Sequence, residues 1–306
     1  MAKRSSRKRL AERSHVGGEE LVALWDPSQY RLLDCGERRR LEWLAGYVVD
    51  RPCPGASWPK NPRELWDEAD AIFRRIPGKE GSWEFRRPPP EDWAVAWGSL
   101  SLHLRCTPFG HLGLFAEQAA IWQWLCGVLS RKDEPLRVLN LFAYTGGTSL
   151  VAALYGAEIF HVDAAKNILG WARKNAERSG LSGAKIHWIC EDAVRFVERE
   201  IRRGRSYDGF ILDPPSYGHG PEGEIWQFRR DLPRLVDLCA RLASANLRFF
   251  ILTAHTAGYS PARLAAVVSQ HFVAGKGGEL KAGELFLPGE SGRKLPSGIY
   301  VCWLSC

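Results

Sequence analysis

Two rhythms of apolar and polar residues divide this chain, and the change falls near residue 110. Upstream, the apolar stretches are short, rich in aromatic and β-branched residues, and bordered by glycine and proline. Tyr30–Asp34 and Leu41–Asp50 read as strands around the glycine-containing turn Cys35-Gly-Glu. Trp93–Trp97 and Leu100–Arg105 read as a hairpin over Gly98-Ser99. Between them Glu64–Arg75 predicts a short helix, and Pro77–Pro90, ending in three prolines, predicts a loop. A small β-rich domain is therefore expected over residues 21–108, behind a basic flexible tail over 1–20.

Downstream the period switches between that of buried strands and that of helices. Helices are expected over Ala116–Leu129, Gly147–Tyr155, Ala165–Ser179, Ala193–Arg203, Ile225–Leu242 and Pro261–Phe272. Strands are expected over Arg137–Phe142, Ile159–Asp163, Lys185–Cys190, Tyr207–Asp213, Arg248–Thr253, Glu279–Leu287 and Gly298–Trp303. Strict alternation of this kind predicts an α/β fold over residues 109–306: a Rossmann-like, doubly wound, mostly parallel seven-stranded sheet closing in an antiparallel hairpin at its edge.

Composition narrows the class. Of 306 residues, 45% are hydrophobic and 25% charged, the balance of a globular chain rather than a disordered one. No apolar run approaches the roughly 18 residues that span a bilayer, and the basic N-terminus lacks the apolar segment of a secretory signal. A soluble, cytoplasmic protein with no membrane partner is expected. The eight cysteines are scattered with no CxxC pair, so free thiols are expected, and no metal site is predicted. The net charge of +7 is concentrated in residues 3–13, in Arg38-Arg39-Arg40 and between Arg199 and Arg205. Such clusters bind phosphate backbones through counterion release, which makes RNA the expected partner. Thirteen tryptophans are many for this length, and Trp43, Trp58, Trp66, Trp83, Trp93 and Trp97 of the N-terminal part are read as filling a small core.

The candidate chemistry lies at strand ends. In open α/β sheets ligands bind outside the carboxyl ends of the strands. The first strand runs into Ala143-Tyr-Thr-Gly-Gly147, where glycine lets backbone approach a ligand and the following helix offers free N–H groups. The second ends at Asp163, placed to accept from both hydroxyls of a ribose or to cap the next helix. The third ends in Cys190-Glu-Asp192, where Asp192 can accept from an adenine amine or cap a helix; Cys190 is read as a packed thiol. Asp213-Pro-Pro-Ser-Tyr217 closes the fourth. Its prolines stiffen the loop, its carbonyls and carboxylate offer fixed acceptors, and Tyr217 offers a stacking face.

These residues together resemble the class I S-adenosylmethionine (SAM)-dependent methyltransferases, and more narrowly the bacterial branch containing the large-subunit ribosomal RNA base methyltransferases. That branch's first motif reads close to NLFAYTGG, matched by Asn140–Gly147; its F-x-x-Q pattern is matched by Phe115-Ala-Glu-Gln118, and its DPP-x-aromatic motif by Asp213–Tyr217. The resemblance spans about residues 105–306. It implies SAM as cofactor, with its methionine end at Asn140, Phe142, Tyr144, Thr145, Gly146 and Gly147, its ribose at Asp163, its adenine at Asp192, and Gln118 lining the entrance. It also implies a catalytic loop of Asp213, Pro214 and Tyr217, with Asp213 bordering the cofactor.

Two departures bear on the reaction. Enzymes of exocyclic amines carry the aromatic directly after the second proline, whereas here Ser216 intervenes. Cytosine-C5 enzymes of this branch need a cysteine after the fifth strand, and Leu252-Thr-Ala-His-Thr-Ala-Gly258 has none, which argues against that chemistry. A ring nitrogen needs no general base; an amine or hydroxyl needs one, with Asp213 the first candidate and His255 the second. Direct in-line transfer to a base of ribosomal RNA is the expected activity. The alternatives are a protein or small-molecule methyltransferase, and an RNA-binding protein that keeps the fold without catalysis.

Overall fold

The computed structural model describes residues 20–75, 80–131 and 134–306. The basic tail expected over 1–20 lies, but for its last residue, outside them. The chain divides into two compact units. One holds Val22–Ile121 with Phe286–Ser297; the other holds 20–21, 122–285 and 298–306. The division thus falls at Ile121/Trp122, whereas the sequence placed it at 108/109.

The N-terminal unit is built on five strands in spatial order β2 (Tyr30–Gly36), β3 (Arg39–Leu44), β4 (Tyr47–Pro52), β5 (Ala71–Arg74) and β6 (Ser82–Phe85); β1 (Glu20–Val22) precedes them. A hairpin of β7 (Ala94–Trp97) and β8 (Leu100–His103) follows. The helix expected over Glu64–Arg75 is a single 3₁₀ turn, Glu64–Glu68, followed by β5. The reason is pairing: Ala71-Ile-Phe finds β4 on one side, parallel, and β6 on the other, antiparallel. Satisfying both backbone edges outweighs local helix propensity. The loop expected over Pro77–Pro90 likewise contributes β6. Trp66, Trp93 and Trp97 are buried core and Trp43 packs against the cluster of Leu33, Leu41 and Trp66, whereas Trp58 and Trp83, also read as core, are only partly buried.

Two features explain the unit's borders. Trp25 Nε1 donates to the Ala116 carbonyl at 2.9 Å, which ties the segment before the second unit into this one. The tip of the C-terminal hairpin joins through Arg293, which donates to the Asp34 carboxylate at 3.1 Å and to the carbonyls of Cys35 and Pro59. In two of the expected basic patches some of the arginines are already paired. Arg39 donates to Asp50 at 2.6 Å and to the Phe73 carbonyl, and the buried Arg40 lies 3.2 Å from the fully buried Glu42. Arg199 pairs with Glu191, and Arg203 with Glu200 at 3.3 Å. Arg38, Arg202 and Arg205 of the same patches are exposed.

The second unit has α1 (Ala119–Leu129), β9 (Arg137–Leu141), α2 (Gly147–Leu154), β10 (Glu158–Asp163), α3 (Lys166–Arg178), β11 (Ile186–Cys190), α4 (Ala193–Arg202) and β12 (Gly209–Leu212). A small ribbon, β13 (Tyr217–His219) with β14 (Ile225–Gln227), leads into α5 (Phe228–Arg241), β15 (Phe249–Ala254), α6 (Pro261–Val268), β16 (Glu279–Pro288) and β17 (Lys294–Leu304). The helix expected to begin at Ile225 begins three residues later, because Ile225–Gln227 pair with Tyr217–His219.

The sheet order is β1-β16-β17-β15-β12-β9-β10-β11, with β9, β10, β11, β12 and β15 parallel and β17 antiparallel to β15. The seven expected strands are present, and β1 adds an eighth beyond the hairpin. From β9 the chain winds through β10 to β11 on one side and returns through β12 to β15 on the other. The switch point therefore lies between β9 and β12, where the loops diverge and leave a cleft. The in-register pairs Val162–Leu141, Leu212–Leu141 and Leu212–Leu252 bring the carboxyl ends of four strands to one level. Phe210, Phe250, Phe272, Tyr207 and Phe228 fill the core beside them.

Candidate functional site

The turn after β9 is held in a conformation that L-residues avoid. Phe142 (φ 57°) and Tyr144 (φ 50°) both adopt left-handed backbone, and Gly146 follows at φ 90°. Each non-glycine in that region costs on the order of 1–2 kcal/mol, so the surroundings must fix it. They do so through the Tyr144 N–H, which donates to Asp163 Oδ2 at 2.9 Å, and the Thr145 carbonyl, which accepts from Asn175 Nδ2 at 2.9 Å.

The two glycines serve packing as much as ligand approach. A Cβ at Gly146 would stand 3.2 Å from the Ala172 Cβ, and one at Gly147 would stand 2.5 Å from Trp122 Cζ2. Asn140, grouped with the cofactor turn by the resemblance, points inward. It is buried and donates to Ser149 Oγ at 2.8 Å, and Ser149 Oγ meets His161 Nδ1 at 2.9 Å. Burial pulls the His161 imidazole down to about 3, so it is neutral beneath the turn.

Asp163 ends β10 beside this turn, and Ala165 rather than Asp163 is the N-cap of α3. Oδ1 accepts from the Ala165 N–H at 3.0 Å and Oδ2 from Tyr144. A carboxylate offers about four acceptor positions, so two remain for a vicinal diol. Burial raises its pKa, and the two N–H donors oppose that rise. Asp192 is the N-cap of α4, where Oδ1 accepts from the N–H groups of Val194 and Arg195, both at 3.0 Å. Cys190, expected to be packed, is exposed; β11 is the edge strand, and the thiol has a neighbouring strand on one side only.

At the end of β12 the Asp213 carboxylate is fixed from β15. Thr253 Oγ1 donates to Asp213 Oδ1 at 2.5 Å, and His255 Nε2 stands 3.4 Å from the same oxygen. Glycine at 298 gives His255 its place, since a Cβ there would come within 2.8 Å of the imidazole. Pro214 is buried. The Pro215 carbonyl, expected to face the cleft, instead accepts from Trp226 Nε1 at 2.7 Å. Trp226 also packs on Phe142 with ring centroids 5.0 Å apart, so one indole links the glycine turn to the DPP loop. Ser216 Oγ meets Thr256 Oγ1 at 2.9 Å. Tyr217 is half exposed on the ribbon, edge-on to His219 at 5.1 Å.

The structure thus gathers Phe142, Tyr144, Thr145, Gly146, Asp163, Asp213 and Pro214 around the switch point. It turns Asn140 inward, gives Asp192 a cap to make, and carries Tyr217 out on a ribbon. Gln118 closes the 3₁₀ turn Ala116–Gln118 of the N-terminal unit, where it is buried. Thr253, Trp226 and His161 escaped the sequence reading. Thr253 alone had a signal there, a hydroxyl at the end of a wholly apolar strand. Among the described residues no group of His, Cys, Asp and Glu is arranged to hold a metal, and no helix is long and apolar enough to cross a membrane.

Comparison with known proteins gives this geometry a family. Residues 72–245 match the model for S-adenosylmethionine-dependent methyltransferases. A crystal structure of the SAM-dependent methyltransferase from Agrobacterium tumefaciens is 38% identical, covers 95% of each chain and superposes with a TM-score of 0.89. A structure described as a SAM-dependent methyltransferase from Streptococcus mutans, 17% identical with a TM-score of 0.69 over 99% of this chain and 79% of that one, shares the fold. The ribosomal RNA large subunit methyltransferase K/L of Shewanella frigidimarina is 30% identical over 145 residues, 47% of this chain and 20% of that protein. The ribosomal RNA large subunit methyltransferase K of Neisseria meningitidis serogroup B is 31% identical over 126 residues, 38% of this chain and 36% of that protein. The matches thus span only a fifth to about a third of these curated relatives.

Proposed function

The chain belongs to the S-adenosylmethionine-dependent methyltransferase family, and from that premise we propose that it methylates a base of large-subunit ribosomal RNA in the cytoplasm. The observation that carries the RNA substrate is the recurrence of ribosomal RNA large subunit methyltransferases among its relatives. The +7 net charge favours a polyanion as well.

The residues at the switch point fit SAM. Asp163 keeps two acceptor positions for the ribose diol. The left-handed turn at Phe142–Gly146 takes the methionine end, and the start of α2 offers N–H groups to its carboxylate. Asp192 Oδ1 is engaged by the helix, so adenine recognition there falls to the other carboxylate oxygen. When bound, SAM supplies an electrophilic methyl group on a sulfonium, and the chain's task is then alignment of the nucleophile. Asp213 accepts a hydrogen bond from the N–H edge of the target base. Thr253 and His255 hold that carboxylate in one orientation, and His255 lies within reach to share a proton that Asp213 receives.

The test is transfer of labelled methyl from SAM to separate pools of unmodified ribosomal RNA, transfer RNA, protein and small molecules. Wild type would label large-subunit ribosomal RNA, and Asp213→Asn would lower the rate by about 10²-fold or more. Label confined to the protein or small-molecule pool would overturn the proposal.

A further inference from the structure

Several arginines near the DPP loop are neutralised: Arg195 by Glu222 and Glu224, Arg199 by Glu191, Arg230 by Asp231, Arg234 by Glu198. Arg229 and Arg263 differ. Both are exposed, and among the described residues neither has a carboxylate within salt-bridge reach. Each instead lies over the ring of Tyr259, Arg263 with Cζ 4.6 Å from the centroid and Arg229 at 5.8 Å. The arrangement is anchored rather than fortuitous. Tyr259 packs edge-on to the buried Phe228 with centroids 5.1 Å apart, and Arg229 Nη2 donates to the Ala257 carbonyl at 2.7 Å.

The position matters more than the charge. The loop carrying Tyr259 leaves the carboxyl end of β15 directly after Thr253 and His255. It is tied to the DPP loop by the Ser216–Thr256 hydrogen bond of 2.9 Å. Arg229 is the second residue of α5, and Arg263 lies in the first turn of α6. A guanidinium over an aromatic ring is held in place while most of its N–H donors remain free, and it is poorly hydrated, so it meets a phosphate at low desolvation cost. Tyr259, partly buried against the core, fixes the position of both groups.

We propose that Arg229 and Arg263, held by Tyr259, form the seat for the RNA strand flanking the target nucleotide, with the two guanidinium groups on successive phosphates. The seat rests on the RNA reading above, and it deepens that reading by assigning the surface that takes the strand.

The experiment measures binding of a short single-stranded oligouridylate by the full chain at several salt concentrations. It uses wild type, Arg229→Gln/Arg263→Gln, Tyr259→Leu and, as control, Arg234→Gln. SAM affinity serves as the check that each variant is folded. The double variant should bind roughly tenfold more weakly, and the slope of log affinity against log salt should shrink by about 1.4, two phosphate contacts at about 0.7 each for a single strand. Tyr259→Leu should weaken binding less than the double variant does, and Arg234→Gln should alter neither affinity nor slope. Unchanged affinity and slope in the double variant, with SAM still bound, would overturn the seat even if the enzyme methylates RNA. Weaker binding with the shallower slope, alongside a wild type that labels no RNA, would support the seat and count against the ribosomal RNA substrate instead.

Discussion

Asp213 shows how one side chain can be specified from far away. Its motif is local, but its orientation is set by Thr253, 40 residues on, whose hydroxyl donates at 2.5 Å. A hydrogen bond to a charged acceptor contributes on the order of 1.5–3 kcal/mol. If the carboxylate must face the target base, losing that bond should lower kcat about ten- to a hundredfold, each 1.36 kcal/mol being a factor of ten. Thr253→Val, which keeps the shape, is expected to show that loss in single-turnover rates while SAM affinity stays near wild type. An equal fall in SAM affinity would mean that Thr253 supports the cofactor pocket instead. The sequence pointed to Asp163 and Asp213 because a carboxylate at the carboxyl end of a buried strand has few other reasons to be there. It did not point to Thr253 or Trp226, whose roles arise only when separate loops meet. Asn140 misled for the opposite reason: within a motif, alternation along the strand still decides which side chains face inward, and Asn140 faces Ser149.

Elements explain the glycine turn better than ligand contact does. Gly147 opens α2 where α1 crosses it, and Trp122 of α1 occupies the space a side chain would need while donating from Nε1 to Thr148 Oγ1 at 2.9 Å. A methyl group 2.5 Å from a rigid ring forces the helices apart. Such overpacking costs about 1–3 kcal/mol, which exceeds the up to about 1 kcal/mol that alanine gains over glycine in a helix. Gly147→Ala is expected to lower the urea midpoint without SAM, and adding Trp122→Leu should recover part of the loss, giving a non-additive double-mutant cycle. Strict additivity would show that the two residues do not compete for space. At this scale long periodic helices and buried strands were legible, because each element's pattern matches its environment. β5, β6 and the β13–β14 ribbon were not. They are three or four residues long, and their neighbours rather than their own propensities make them strands.

The whole molecule carries a net charge of +7, but the response of the fold to acid is set by groups whose titration differs between the folded and unfolded chain. His161 is the clearest of these. Burial lowers it from 6.5 to about 3, so the folded state keeps it neutral while the unfolded chain takes up a proton below 6.5. The stability it contributes is therefore complete above pH 6.5 and is lost as pH falls from there toward 3. Asp163 acts in the opposite sense. Burial raises it above 3.8, so protonation in the folded state recovers some stability, but only as pH approaches the carboxylate range. Between pH 6.5 and about 5 His161 contributes roughly 1.4 kcal/mol per pH unit, about 2 kcal/mol in all, and His111, lowered to about 4 by burial, acts in the same sense. Urea unfolding at about pH 7.5 and about pH 5, at constant salt, measures this directly. His161→Gln, which can still take a hydrogen bond from Ser149, should be less stable than wild type at the higher pH and should lose less stability between the two. A wild type equally stable at both, or a variant with the same slope, would mean that His161 is not the group that couples this fold to acid.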